Sequence, residues 1–148
     1  MTELETSIEI DASPERVWAV LTDFPSYPEW NPFVRRIEGE LRTGSRLRVR
    51  LEPPGMRGMT LRPRLVAVER PRVLRWLGHL GVPRLFDGEH GFRIEPLASG
   101  RVRFVQSEAF RGVLVPLVWP MLEGKTRQGF EAMNAALKRR VEGAASDA

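Results

Sequence analysis

Hydrophobic and polar positions change period twice along this chain. At the front, Thr6-Ser7-Ile8-Glu9-Ile10-Asp11 alternates in character, as a strand with one covered face requires. Ser13-Pro14-Glu15 then supplies a capping hydroxyl, a proline for the first helical position and an acid for the first turn. The helix begun there carries Val17, Trp18, Val20 and Leu21 at helical spacing, and Phe24-Pro25 stops it. Proline-rich residues 26–32 leave room only for a turn or a second short helix.

From Phe33 to Phe110 the period is two. Leu47, Val49 and Leu51 alternate with Arg46, Arg48 and Arg50, and the pattern returns at Leu61-x-Pro63-x-Leu65, Leu74-x-Trp76, Phe92-x-Ile94 and Val102-x-Phe104. Thr43-Gly44, Pro54-Gly55, Arg70-Pro71, Leu80-Gly81-Val82-Pro83 and Ser99-Gly100 read as the turns between. Usual strand lengths and turn spacings predict about six strands here, after the one at the front. The end of the chain reverts to helical spacing, with Phe130, Met133, Asn134, Leu137 and Val141 on one face and Lys125, Arg127, Glu131, Arg139 and Arg140 on the other. Between them, Gly112 to Pro120 carries two prolines with apolar Val113, Leu114, Val115, Leu117 and Trp119. It is expected to precede the helix, packed on the short helices, folded as a flap over a cavity, or touching a membrane transiently. These elements predict an α+β fold: one long C-terminal helix on one curved antiparallel sheet of about seven strands, with two short helices after the first strand. Residues 1–142 form the single expected domain, and residues 143–148 read as a disordered tail.

Composition narrows the chemistry. A chain of 148 residues with 42% hydrophobic and 28% charged residues has the balance of one globular domain. The absence of cysteine excludes disulfides, thiolate metal sites and thiol nucleophiles. With His79 and His90 the only histidines, no metal site is expected, nor any cofactor. Met1 to Glu5 is acidic and lacks the apolar stretch of a secretory signal, and the uncharged run Gly112 to Leu122 is too short to span a bilayer, so a cytoplasmic location is expected. Lys and Arg number 23 against 19 Asp and Glu, and all but Lys125 and Lys138 are arginine. Arg46, Arg48, Arg50, Arg62, Arg64, Arg93, Arg101 and Arg103 fall on the outward parity. Glu52, Glu89 and Glu95 interrupt them and aromatics for stacking bases are scarce there, so a solvated face is expected and no nucleic-acid partner. No phosphate-cradling glycine loop or nucleophile elbow is present.

Ile8-Glu9-Ile10-Asp11-Ala12-Ser13-Pro14-Glu15-Arg16-Val17-Trp18, Phe24-Pro25-Ser26-Tyr27-Pro28-Glu29-Trp30-Asn31-Pro32-Phe33, Gly88-Glu89-His90-Gly91-Phe92 and Phe110-Arg111-Gly112 sit in an element order that resembles the START-related helix-grip (SRPBCC) superfamily, in its polyketide cyclase/dehydrase and lipid-transport branch. The resemblance covers nearly the whole chain. It implies a hydrophobic cavity between sheet and long helix; members carry lipids, sterols or quinones, cyclise aromatic polyketides or bind other small molecules. No catalytic set shared by the family carries over, so function has to come from the cavity's own residues.

If the apolar strand faces look at the helix, Leu61, Trp76, Phe92, Phe104 and Phe110 line the wall, with Phe130, Met133 and Leu137 opposite, Trp30 and Phe33 beside the entrance, and Trp119 in the segment that could fold as a flap. Such a stripe is either solid core or the lining of a pocket for an apolar, lipid-like or polycyclic ligand. Period-two counting also turns His90, Gln106 and Glu108 inward, and a hairpin symmetric about Ser99 sets His90 opposite Glu108 and Phe92 opposite Gln106. Two readings of that pair stand: a satisfied polar pair that fixes a ligand's head group, or a cyclase/dehydratase-type site with His90 as acid or base and Glu108 orienting it. Asn134 is a further candidate contact on the helix, and His79, of opposite parity, is expected to be exposed or in a turn. A regulatory module engaging a protein partner through Val113 to Trp119 is a third reading.

Overall fold

A computed structural model describes residues 2–146. Strand β1 (Thr2–Ile10) leads into helix α1 (Pro14–Leu21), where the Ser13 hydroxyl accepts from the Arg16 backbone N–H and Pro14 opens the first turn, as the sequence signals. A 3-10 turn (Phe24–Ser26) and a short helix α2 (Tyr27–Trp30) follow. Tyr27 is completely buried and donates its hydroxyl to the Leu21 carbonyl. Burial, and secondarily the nearby Asp23 charge, pushes the phenol far above its ordinary pKa, so it stays a neutral donor tying α2 to α1.

Seven strands follow, one more than expected: β2 (Val34–Glu38), β3 (Arg48–Leu51), β4 (Met59–Leu61), β5 (Arg64–Glu69), β6 (Val73–His79), β7 (Asp87–Pro96) and β8 (Val102–Arg111). They fall into two antiparallel sheets, a five-stranded one in the order β1-β8-β7-β6-β5 and a three-stranded one in the order β2-β3-β4. The extra element arises because Pro63 interrupts the run Met59 to Glu69, where a continuous strand needs a backbone donor. A bridge between Arg46 and Arg64, with backbone bonds from Gly44 N and Leu47 N to the Leu65 and Pro63 carbonyls, joins the sheets into one curved wall.

Helix α3 (Val115–Ser146) lies in the concavity. Its Phe130, Met133, Leu137 and Val141 are fully buried among Leu4, Ile10, Leu74, Phe92, Ile94 and Phe104 of the sheet, which is the expected stripe against the expected wall. Lys138 donates to the Glu9 carbonyl, and the Asp11 backbone N–H donates to Glu142, pinning the far end of α3 to the β1–α1 joint. The helix starts earlier than predicted: Val115 to Pro120, expected as loop, are helical. Pro116 sits in the first turn, where backbone N–H groups have no helical acceptor, and Pro120 forfeits only a bond to that same turn. Part of the expected disordered tail, residues 143–146, belongs to α3, and residues 147 and 148 lie outside the described residues. Among the described residues no helix is long and apolar enough to cross a membrane.

Candidate functional site

The curved wall is not filled throughout. Toward the N-terminal end of α3 it leaves a pocket with about 820 Å³ of unoccupied space, counting the part open to solvent. Its floor is Trp76, His90, Glu108 and Phe110, one flank is Phe33, Val49, Leu51 and Leu61, and the rim includes Pro53, Met56, Met59, Leu80, Leu122 and Thr126.

Strand register builds the polar part. β6, β7, β8 and β1 place Trp76, His90, Glu108 and Leu4 side by side in one row, and Leu74, Phe92, Gln106 and Thr6 in the next. The hairpin pairs His90 with Glu108 and Phe92 with Gln106, the register expected from its symmetry about Ser99. His90 is 3% exposed, and its ring lies against Trp76 (centroids 5.1 Å apart, stacked), Phe92 (4.8 Å) and Phe130 (4.9 Å). Its Nδ1 is 3.0 Å from Glu108 Oε1 and its Nε2 is 2.9 Å from Gln106 Oε1. Glu108 keeps 19% of its side chain exposed and is the carboxylate on the pocket wall. Gly88, inward-facing on β7, makes room for it, because a Cβ there would overlap Glu108 Oε2.

Behind this pair a hydrogen-bonded chain runs through the core. Gln106 Nε2 donates to Asn134 Oδ1 (2.7 Å) and to the Phe130 carbonyl (3.3 Å); Asn134 Nδ2 donates to Thr6 Oγ1 (2.9 Å), and the Thr6 hydroxyl donates to the Gln106 carbonyl (3.3 Å). Every member is buried, so the chain satisfies groups that would otherwise cost about 1–3 kcal/mol each.

Among the residues singled out in the sequence, Phe33, Leu61, Trp76, His90, Glu108 and Phe110 come together on the pocket. Phe92, Phe104, Phe130, Met133 and Leu137 do not line it: they pack against one another in the core, where sheet and helix meet closely. Gln106 and Asn134 are also outside it, fully engaged with each other. Trp30 packs edge-on to Tyr27, outside the pocket, and Trp119 packs on Phe110, with ring centroids 4.4 Å apart, and against the main core without lining the pocket itself. The entrance therefore lies not beside the short helices but between the β3–β4 turn, the β6–β7 hairpin and the start of α3. The sequence reading missed Met56, Met59, Leu122 and the fourth member of the buried chain, Thr6. The two methionines lie in the short turn-and-strand segment whose periodicity is too brief to orient, and Thr6 is in phase with Leu4, Ile8 and Ile10.

His79 is exposed, as expected, but stands at the rim with its Nδ1 2.7 Å from Asp87 Oδ1. Asp87 also accepts from the Arg84 backbone N–H, and Arg84 holds a left-handed backbone (φ 76°). Partial desolvation acts to raise the Asp87 pKa, yet the hydrogen bonds from His79 and the Arg84 backbone, with both positive charges, outweigh it and hold the carboxyl below its ordinary range. A folded-state value below the unfolded one means a contribution to stability present above about pH 4 and lost as the pH falls through the folded value. Urea titrations of wild type and Asp87→Asn should accordingly converge on acidification below that point; an unchanged gap would remove Asp87 as the clasp of the hairpin.

Among the described residues no group of three or more His, Asp or Glu side chains is placed to hold a metal. In comparisons with solved structures, the chain superposes on the Zhui aromatase/cyclase of Streptomyces sp. R1128 with a TM-score of 0.77 at 20% identity, over 95% of this chain and 93% of that one. It superposes on a START superfamily protein of Mycobacterium smegmatis at 0.76 and 23%, over 95% and 97%. For norcoclaurine synthase of Thalictrum flavum in complex with dopamine and hydroxybenzaldehyde the values are 0.71 and 15%, over 96% and 87%. At these identities the likeness is one of fold. Among curated proteins no significant sequence match is found. A sequence model for the family described as polyketide cyclase / dehydrase and lipid transport matches residues 1–142, so nearly the full length, the two-sheet wall and the helix it grips agree in placing the chain in that family.

Proposed function

We propose that this protein binds an apolar small molecule, lipid-like or polycyclic, in the pocket, with the ligand's polar end at the hydrogen-bonded Glu108–His90 pair. One observation carries the reading: an apolar concavity left open by a packed core, with a part-buried, hydrogen-bonded polar pair at its floor. Rings and flexible thioethers, here Phe33, Trp76, Met56 and Met59, suit a flat or adaptable hydrophobic guest. That structural neighbours include an aromatase/cyclase and a synthase solved with aromatic ligands supports the same class of guest. Naphthol is the probe for the test. Titration should quench the fluorescence of Trp76 saturably, and Leu61→Trp, which fills the flank with an indole, should weaken binding at least tenfold. Undiminished binding in Leu61→Trp would place the guest elsewhere.

A second reading, a cyclase/dehydratase-type enzyme, is favoured by the same Glu108–His90 hydrogen bond, since a carboxylate coupled to an imidazole beside an apolar pocket is an arrangement suited to general acid–base work. It predicts turnover of a polyketide-like substrate that His90→Gln abolishes while binding persists. Binding without turnover in wild type would leave carriage alone.

A further inference from the structure

Proton positions in the buried chain follow from one group that cannot donate, the Phe130 backbone carbonyl. Gln106 must turn its NH2 toward that carbonyl and toward Asn134 Oδ1, so its Oε1 faces His90 Nε2. An oxygen at 2.9 Å requires a proton on that ring nitrogen. His90 Nε2 is thus a permanent donor, and its Nδ1 is committed to Glu108 Oε1. A bond at 3.0 Å between Nδ1 and a carboxylate oxygen needs one proton between them, on the ring or on the carboxyl. In either case the pair as a whole is neutral and the imidazole has no nitrogen left for a ligand.

The remaining atom is Glu108 Oε2. It lies over Gly88, belongs to a pocket-lining side chain, and makes no hydrogen bond among the described residues. With the shared proton in the Oε1 bond, Oε2 is an acceptor in both forms of the pair. We infer that Glu108, rather than His90, is the residue that meets the ligand, that it selects a neutral hydrogen-bond donor, a phenolic or enolic hydroxyl on an otherwise apolar molecule, and that Gln106 is the positioning residue that fixes the His90 tautomer. This rests on the pocket reading above and reverses the roles of the enzyme alternative read from sequence, where His90 acts and Glu108 orients; the other alternative, a polar pair that fixes a head group, it narrows to Glu108. Burial is the reason for the reversal: the ring is walled in by Trp76, Phe92 and Phe130, whereas the carboxylate has the glycine slot. A neutral pair offers no net charge to an ammonium group, so the hydroxyl is the favoured donor.

Two measurements on the full chain test this. In 15N spectra of the imidazoles, wild-type His90 should show a protonated Nε2, and Gln106→Leu should lose that preference; a bare Nε2 with protonated Nδ1 in wild type would overturn the assignment. Naphthol should bind about tenfold more tightly than its methyl ether, the upper end of the net worth of one hydrogen bond. Glu108→Leu, which removes the acceptor where an amide would keep one, should collapse that ratio, and a ratio near one in wild type, or one that survives in Glu108→Leu, would overturn the role of Oε2. Should Gln106→Leu fail to fold, the wild-type spectrum and the Glu108→Leu ratio decide. If neither probe binds, the pocket reading falls and with it the role of Oε2, while the imidazole spectrum alone still decides the role of Gln106.

Discussion

Phe104→Ala is expected to lower the free energy of unfolding by about 3–5 kcal/mol, the range for emptying a large aromatic site in a closed core. Phe104 is fully buried, stacks on Phe92 with ring centroids 5.8 Å apart, and stands between Ile8 of β1 and Ile94 of β7 in the strand register. It is not on the pocket, so neither solvent nor a ligand can enter the hole left behind. The expected signature in urea is a lower midpoint with an unchanged slope. Naphthol binding, measured where both proteins are folded, should persist, because the truncated ring lies behind the floor rather than in it. A loss below about 1 kcal/mol would show that the region between sheet and helix is loosely filled, contrary to the division into solid core and open pocket on which the site depends.

Gly112→Ala is the second large effect. Gly112 joins β8 to α3 with φ at 135°, a conformation that side-chain-bearing residues rarely adopt, and a Cβ there would overlap the Leu85 backbone carbonyl. Backbone strain of about 1–3 kcal/mol and steric displacement of similar size act together. The next two backbone N–H groups, of Val113 and Leu114, donate to the Arg84 and Leu85 carbonyls, so the β6–β7 hairpin and the start of α3 are held by the bonds this substitution disturbs. Phe86, Phe110 and Val115 form a small core of their own at that joint, with Trp119 and Leu122 against it. Amide hydrogen exchange should therefore accelerate first at Val113 and Leu114, and naphthol affinity should fall because Leu80, Phe86 and Leu122 border the pocket. Exchange that rises evenly over the whole chain would argue against a separately held pocket end.

Much of the fold was legible in the chain because its signals are local. Ser13-Pro14-Glu15 specifies a helix start by chemistry confined to one turn, and the period of Leu47-Val49-Leu51 states which side of a strand is dry without reference to any partner. The hairpin register was legible too: Ser99-Gly100 marks the turn, and from there counting alone brings His90 to Glu108. Three things were not. Pro120 reads as a helix breaker until its lost acceptor is seen to lie in the first turn of α3. Pro63 divides the wall into two sheets that the bridge at Arg46 and Arg64 rejoins. Period-two counting places Phe92, Phe104 and Phe110 on one face, yet only Phe110 reaches the pocket.

What the sequence by itself determined is the order and phase of the elements, and with them the membership of His90, Gln106 and Glu108 in one inward face, since both follow from backbone periodicity. Where that face is filled and where it is hollow was decided only in three dimensions, by how closely α3 approaches the sheet at each turn. Near Phe130 and Met133 the helix meets Phe92 and closes the interior, while at Leu122 and Thr126, between that stretch and the small core around Val115, it borders the pocket. The division of labour within the polar pair was decided there as well. A side chain's parity says that it points inward, but whether its atoms reach the space or are consumed by neighbours depends on residues brought from Thr6, Phe130 and Asn134, far away along the chain.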